Sequence, residues 1–260
     1  MKIAVSGKGG VGKTSFAALL GTFLHRAGYR VLAVDADPDA NLAATLGFPK
    51  ASDIVPMVEM KELIEERMGT KPGGFGALFK LNPKVDDLPA KYCLEHNGIR
   101  LMVMGQIRKG GSGCFCPENA FVRRLLGHLL MEEKDVLIVD MEAGIEHLTR
   151  GTSESVDVLI VVVEPGMRSI ETAHTVKDLA ADLGIKTVLG VANKVRGPQD
   201  RAFILGKMQG IRIIGFVPYS EDILMGNMGD RGIDVDRIAA GPVGQEMEAV
   251  RGKIEKLGAG

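Results

Sequence analysis

The first fifteen residues, MKIAVSGKGGVGKTS, restrict what this chain can fold into more than any other stretch. A short apolar run (Ile3, Ala4, Val5) reads as a strand, a glycine loop follows, and a helix begins directly behind it. Gly7, Gly12, Lys13 and Thr14 satisfy the spacing G-x-x-x-x-G-K-[ST] of a phosphate-binding loop. Glycines at 7, 9, 10 and 12 let successive backbone N–H groups turn inward toward an anion. The following helix presents its positive dipole end to the same anion. Lys13 is placed to reach terminal phosphates, and the Thr14 hydroxyl to ligate Mg²⁺. A second lysine, Lys8, stands directly after the first glycine.

Composition narrows the partners. At 260 residues the chain is long enough for one large α/β domain or two small ones. Its 32 basic and 33 acidic residues give a net charge of −1, which argues against nucleic-acid binding through bulk charge. No apolar stretch reaches the length of a membrane span, and no basic-then-apolar leader precedes the glycine loop. Three cysteines, two of them only two apart, fit a reducing compartment better than a disulfide framework. A soluble cytoplasmic protein with neither membrane nor nucleic-acid partner is expected.

Strands and helices alternate along the rest of the chain. Phe16, Leu19, Leu20, Phe23 and Leu24 form an apolar stripe that predicts a helix over 14–28. Strands are predicted at 29–34, 99–105, 135–140, 157–164, 186–191 and 211–217. DVLIVVVE at 157–164 is the most continuously apolar of these and is expected in the middle of the sheet. Helices are predicted within 51–68, at 117–131, at 168–183 and at the C-terminus. In the last of these Val243, Met247, Val250, Ile254 and Leu257 share one face. The opposite face mixes acidic and basic residues, so it reads as a core-packing helix rather than a membrane-surface anchor. Segment 69–92, rich in Gly, Pro and Lys, is expected to be a mobile, partner-facing insertion. The whole reads as α/β: one domain over 1–260, a three-layer P-loop NTPase fold with a mainly parallel central sheet flanked by helices.

In such a sheet ligands sit beyond the C-terminal strand ends. Residues 35–41, DADPDAN, lie at one such end, so the carboxylates of Asp35, Asp37 and Asp39 are expected to face the nucleotide, Asp37 above all; with Pro38 behind it, Asp37 also makes a good helix N-cap. DVLIVD at 135–140 is an apolar strand ending in an acid, the pattern whose carboxylate supports the Mg²⁺ shell, here Asp140. Gly144 gives the next loop freedom to respond to a γ-phosphate, while His147 reads as a capping or hydrogen-bonded residue. Asn193 and Lys194 close a later strand and Pro218 another, where the base is expected, with the Asn193 amide on the purine edge.

Cys114-Phe-Cys116 lies in a glycine-rich loop over 109–117, just before a helix whose dipole favours thiolate at Cys116. Two thiols at i and i+2 supply half of a four-sulfur site, and Cys93 is too far back in sequence to complete it. A two-fold dimer would give four thiolates, suited to Zn²⁺ or Ni²⁺. Two ordinary small loop residues, or a redox pair, remain the alternatives.

The chain resembles the deviant Walker A family of P-loop ATPases, which includes MinD, the nitrogenase iron protein and metal-insertion ATPases. The resemblance rests on GKGGVGKTS at 7–15, with Lys8 as the family's mark, on DADPDAN at 35–41, on DMEAGIEHL at 140–148 and on Asn193-Lys194. Cys114-Phe-Cys116 with DMEAGIEHL looks most like the CooC-type ATPases that insert nickel into carbon monoxide dehydrogenase or acetyl-CoA synthase. The resemblance implies a slow ATPase that binds ATP or ADP with Mg²⁺ through residues 8–15 (Lys8, Gly9, Gly10, Val11, Gly12, Lys13, Thr14 and Ser15). It implies that Lys8 reaches a dimer partner's phosphates, that Asp37 positions the attacking water, and that Asn193 reads adenine. It further implies that Cys114 and Cys116 hold one Ni²⁺, or Zn²⁺ in its place, across a homodimer, for delivery to one of those two enzymes. A MinD/ParA-like positioning ATPase and an iron–sulfur carrier are the rival expectations.

Overall fold

A computed structural model describes residues 1–70, 80, 82–105, 117–132, 135–143, 156–229 and 231–258. Eight strands make one sheet in the order β3-β4-β2-β5-β1-β6-β7-β8. They are β1 Lys2–Ser6, β2 Val31–Asp35, β3 Leu94–His96, β4 Ile99–Val103, β5 Val136–Asp140, β6 Val158–Val163, β7 Val188–Val195 and β8 Arg212–Pro218. All neighbours run parallel except the β3–β4 pair at one edge. β2, β5 and β6 are buried at every position, as expected of parallel strands covered on both faces.

Alternation along each strand splits the core into two layers. Ile3, Val5, Val31 and Ala33 point toward one cluster, which includes Phe16, Leu20 and Leu24 of helix α1 (Lys13–Arg26) and Met247, Val250 and Ile254 of the C-terminal helix Pro242–Gly258. Ala4, Leu32 and Val34 point to the other, with Phe121, Leu125 and Leu129 of helix Pro117–Glu132 and Ile170, Ala173 and Val176 of helix Met167–Asp182. Three layers result, helix on sheet on helix, as the sequence predicts. The expected apolar stripe of α1 is buried throughout.

Several expectations need adjustment. β6 is interior, but β1 and β5 occupy the two middle positions. Within the segment read as one long insertion, the chain forms a short helix Leu88–Tyr92, and β3 follows it directly; Arg67 holds Asp87 there through two guanidinium bonds of 2.9 and 2.8 Å. Residues 71–79 and 81 of that segment lie outside the described residues. The strand read as ending near 191 runs to Val195, so Asn193 and Lys194 lie inside it. Helices Glu221–Met228 and Val235–Ala239 were not foreseen. No helix among the described residues is long and apolar enough to cross a membrane.

Candidate nucleotide site

The sheet register decides where the chemistry collects. Val5 pairs with Asp140 and Asp35 pairs with Asp140, so the ends of β1, β2 and β5 stop at one level. The glycine loop leaves β1 at that level and enters α1 through Gly12, whose φ of 93° is left-handed. A Cβ at Gly12 would also overlap the Asn193 side-chain nitrogen, and one at Gly7 would overlap the Val162 carbonyl, so both positions exclude any side chain. Val11 is fully buried and anchors the loop to the core.

A cleft of about 990 Å³ opens above this loop. Gly9, Gly10, Gly12, Lys13, Thr14 and Ser15 form its floor, and Asp37, Asp39 and Asn41 one wall. Lys13 is nearly buried, and its Nζ lies 3.4 Å from the Asp37 carboxylate. Pro38 does not start a helix. Asp37 instead folds an Asx turn, its Oδ1 accepting from Asp39 N at 3.0 Å, and the helix begins later, at Leu42. The N-cap expectation for Asp37 is therefore replaced by a turn that leaves the other carboxylate oxygen on Lys13.

Asp35 and Asp140 behave differently from Asp37. Asp35 is fully buried, and its two oxygens accept from Asp37 N at 3.2 Å and Leu42 N at 2.8 Å. Burial outweighs those bonds and raises its pKa to about 6. It is a brace for the Asp37 turn rather than a wall of the cleft. Asp140 is fully buried too, and neither of its carboxylate oxygens completes a hydrogen bond. Burial above all raises its pKa to about 7; the Asp35 charge adds to this, while the neighbouring Thr14 hydroxyl and Lys13 oppose it.

A buried carboxylate with two free oxygens, beside a threonine hydroxyl at a phosphate loop, fits Mg²⁺. Thr14 and Asp140 would hold the ion, with phosphate oxygens and water completing the shell. Among the described residues no three His, Cys, Asp or Glu side chains cluster as a metal site.

The opposite rim comes from Gly226, Asn227 and Gly229. Asn227 Nδ2 donates to Ser15 Oγ at 3.0 Å, across 212 residues of sequence. Ser220, which caps the helix through Ile223 N, and the acidic residues Glu221 and Asp222 behind it are a readable helix start. Nothing local reveals that this helix reaches Ser15.

Other predicted residues stand elsewhere. Lys8 does not line the cleft of its own chain. Asn193, Lys194 and Pro218, expected at the base, do not line it either. Asn193 Nδ2 donates to the Val11 carbonyl at 2.8 Å, and Lys194 Nζ donates to the Gly10 carbonyl at 2.5 Å. Cys114, Cys116, Gly144 and His147 lie outside the described residues.

Fold and cleft together define a P-loop nucleotide-binding protein. The CobQ/CobB/MinD/ParA nucleotide binding domain matches residues 2–228, and the chain belongs to that family of nucleotide-binding ATPases. It is 48% identical, over 86% of its length and 85% of the relative's, to the carbon monoxide dehydrogenase accessory protein CooC of Rhodospirillum rubrum. It is 44% identical to an uncharacterised ATP-binding protein of Methanocaldococcus jannaschii, over 99% of this chain and 98% of that one. Among solved structures, the septum site-determining protein MinD of Pyrococcus horikoshii, complexed with Mg-ADP, superposes with a TM-score of 0.67 at 20% identity, covering 99% of this chain and 98% of that one. A ParA family ATPase of Chlorobium tepidum gives 0.70 at 17% identity, over 95% and 96%. Those two likenesses establish the fold.

Proposed function

We propose that this protein is an ATP-dependent metallochaperone: it binds Ni²⁺ as cargo through Cys114 and Cys116 of two protomers and delivers it to carbon monoxide dehydrogenase or acetyl-CoA synthase. The observation that carries the reading is the Cys-x-Cys pair in a chain 48% identical to a carbon monoxide dehydrogenase accessory protein.

The cleft supports the nucleotide half of the cycle. Lys13 is held by Asp37 at 3.4 Å in a largely dehydrated setting, so an incoming triphosphate competes with Asp37 for the same ammonium. Transfer of Lys13 to the phosphates leaves Asp37, held in place by its Asx turn, free to accept a hydrogen bond from the attacking water. A carboxylate is a weak base, so catalysis rests on positioning and on charge stabilisation by Lys13 and the loop N–H groups. Mg²⁺ on Thr14 and Asp140 would neutralise charge developing between the outer phosphates. Lys8, outside its own cleft, is free to serve a partner protomer's nucleotide. Dimer closure on ATP would bring the two Cys-x-Cys loops together, and hydrolysis would loosen them.

Nickel titration with and without ATP, with mass measured in solution, tests this. The expected result is one Ni²⁺ per dimer, lost in the Cys114→Ala/Cys116→Ala double variant while ATP binding persists. Tight nickel binding retained in that variant would refute the site. A brown chromophore after anaerobic purification would favour an iron–sulfur cargo, and ATP-dependent sedimentation with lipid or DNA a positioning ATPase.

A further inference from the structure

For a phosphate site the cleft is poor in positive charge. Among the described residues its ionisable lining is Lys13, Asp37, Asp39 and Glu142. Lys13 and Asp37 pair at 3.4 Å, which leaves two carboxylates without a counter-charge. Asp39 is exposed in the turn that Asp37 folds. Glu142 is half-buried, and among the described residues no ion pair or hydrogen bond engages its carboxylate.

The backbone fixes where Glu142 stands. β5 ends at Asp140, yet its alternation runs on. The Asp140 carbonyl accepts from Ala36 N at 2.9 Å, and Met141 N donates to the Val5 carbonyl at 2.9 Å. The Glu142 carbonyl accepts from Ser6 Oγ at 3.0 Å. Ser6 is fully buried and closes β1 directly before the glycine loop. Met141 is buried in the same layer as Leu137 and Val139, while Val136 and Ile138 belong to the layer of α1. Residues two apart on an extended chain share a face, about 7 Å from one another. Glu142 therefore follows Asp140 on the α1 side, where Thr14 stands beside Asp140.

Charge then decides what Glu142 does. A metal-free triphosphate is strongly anionic, and an unpaired carboxylate in a partly dehydrated cleft opposes it. The same carboxylate favours a cation. Mg²⁺ held by protein and phosphate keeps several of its waters, and those waters are donors that need acceptors beyond the direct ligands. Glu142 stands in line with Asp140 to supply one.

We propose that Glu142 makes nucleotide binding conditional on Mg²⁺. Its carboxylate repels the metal-free triphosphate and accepts hydrogen bonds from water on the ion when the metal accompanies the nucleotide. It is a positioning residue behind the direct ligands Thr14 and Asp140. This role rests on the reading of the cleft as a nucleotide site and is independent of the metal cargo.

Calorimetry on the full chain, with ATP in Mg²⁺ and with ATP in EDTA, provides the test. Glu142→Gln keeps the shape of the side chain and removes its charge. It is expected to tighten metal-free ATP about threefold and to weaken Mg·ATP about threefold. The factor by which Mg²⁺ enhances ATP binding then falls about tenfold. A merely structural role would move both affinities in the same direction. Glu142→Asp, which retains the charge, is expected to bind metal-free ATP within about twofold of the wild type. Asp39→Asn removes the same charge from the exposed turn, so it should tighten both conditions alike and leave the enhancement within about twofold. Equal shifts in both conditions for Glu142→Gln, or no shift in either, overturn the proposal. An enhancement lost as fully in Asp39→Asn overturns it too, because the effect then belongs to the overall charge of the cleft. A wild-type chain that binds ATP in neither condition refutes the nucleotide site, and the role of Glu142 with it.

Discussion

Asp140→Asn should stabilise the nucleotide-free protein while abolishing its response to magnesium. The carboxyl is fully buried, neither oxygen has a hydrogen-bond partner, and its pKa rises from 3.8 to about 7. Because the folded pKa lies above the unfolded one, this group favours the fold at low pH. That contribution is present below about 4 and is lost as pH rises through about 7. A shift of about three pH units corresponds to about 4 kcal/mol at pH 8. By the same relation about 2 kcal/mol of it is already lost at pH 5.5. Asparagine has nearly the same shape and no charge, and leaving its amide unpaired costs about 1–3 kcal/mol. The net gain at pH 8 is then about 1–3 kcal/mol, and near pH 5.5 it is close to zero. For a domain of this size each kcal/mol moves Tm by about 2–4 °C. Removing the Asp140 charge also relieves Asp35, its partner across β2 and β5, which reinforces the sign. Thermal unfolding at both pH values, with and without Mg·ADP, is the assay. A variant less stable than the wild type at pH 8, or a shift equal at the two pH values, would refute the reasoning. So would Mg²⁺-dependent stabilisation by ADP that survives the substitution.

Two further outcomes follow from the cleft. Asp37→Asn should keep ATP binding, because it frees Lys13 from its 3.4 Å pair, but lower kcat by about 10²-fold or more through loss of the water-positioning carboxylate; single-turnover hydrolysis near the wild-type rate would sink that role. Asn227→Ala removes the amide from Ser15 and should raise the ADP Kd by about fivefold, roughly 1 kcal/mol; calorimetry showing no change would leave the far rim without a part in binding.

How much of this was legible differs from residue to residue. Lys13, Thr14, Asp37 and Asp140 stood out because each lies at the end of an apolar strand or in a motif of fixed spacing, and local pattern is enough to place them. The strand that carries Asn193 was found, but its bulge was not, because a bulge is a mismatch with β8 and has no trace in β7 alone. Asn227 was invisible for the same kind of reason: its partner Ser15 is 212 residues away. Asp35 looked like another cleft carboxylate. Only the turn above it, which places the amides of Asp37 and Leu42 over its oxygens, makes it a brace.

By itself, the sequence determined the phosphate loop, the run of parallel strands and the carboxylates at their ends, since each is encoded by short-range spacing. The tertiary structure alone decided that Asp35 and Asp140 sit side by side on β2 and β5, that the Asp140 carboxylate completes no hydrogen bond, and that Asn193 and Lys194 of β7, expected at the base, bond to carbonyls of the phosphate loop. Those outcomes depend on which strands become neighbours and in what register, and register is set by packing across the whole sheet rather than by any one segment of it.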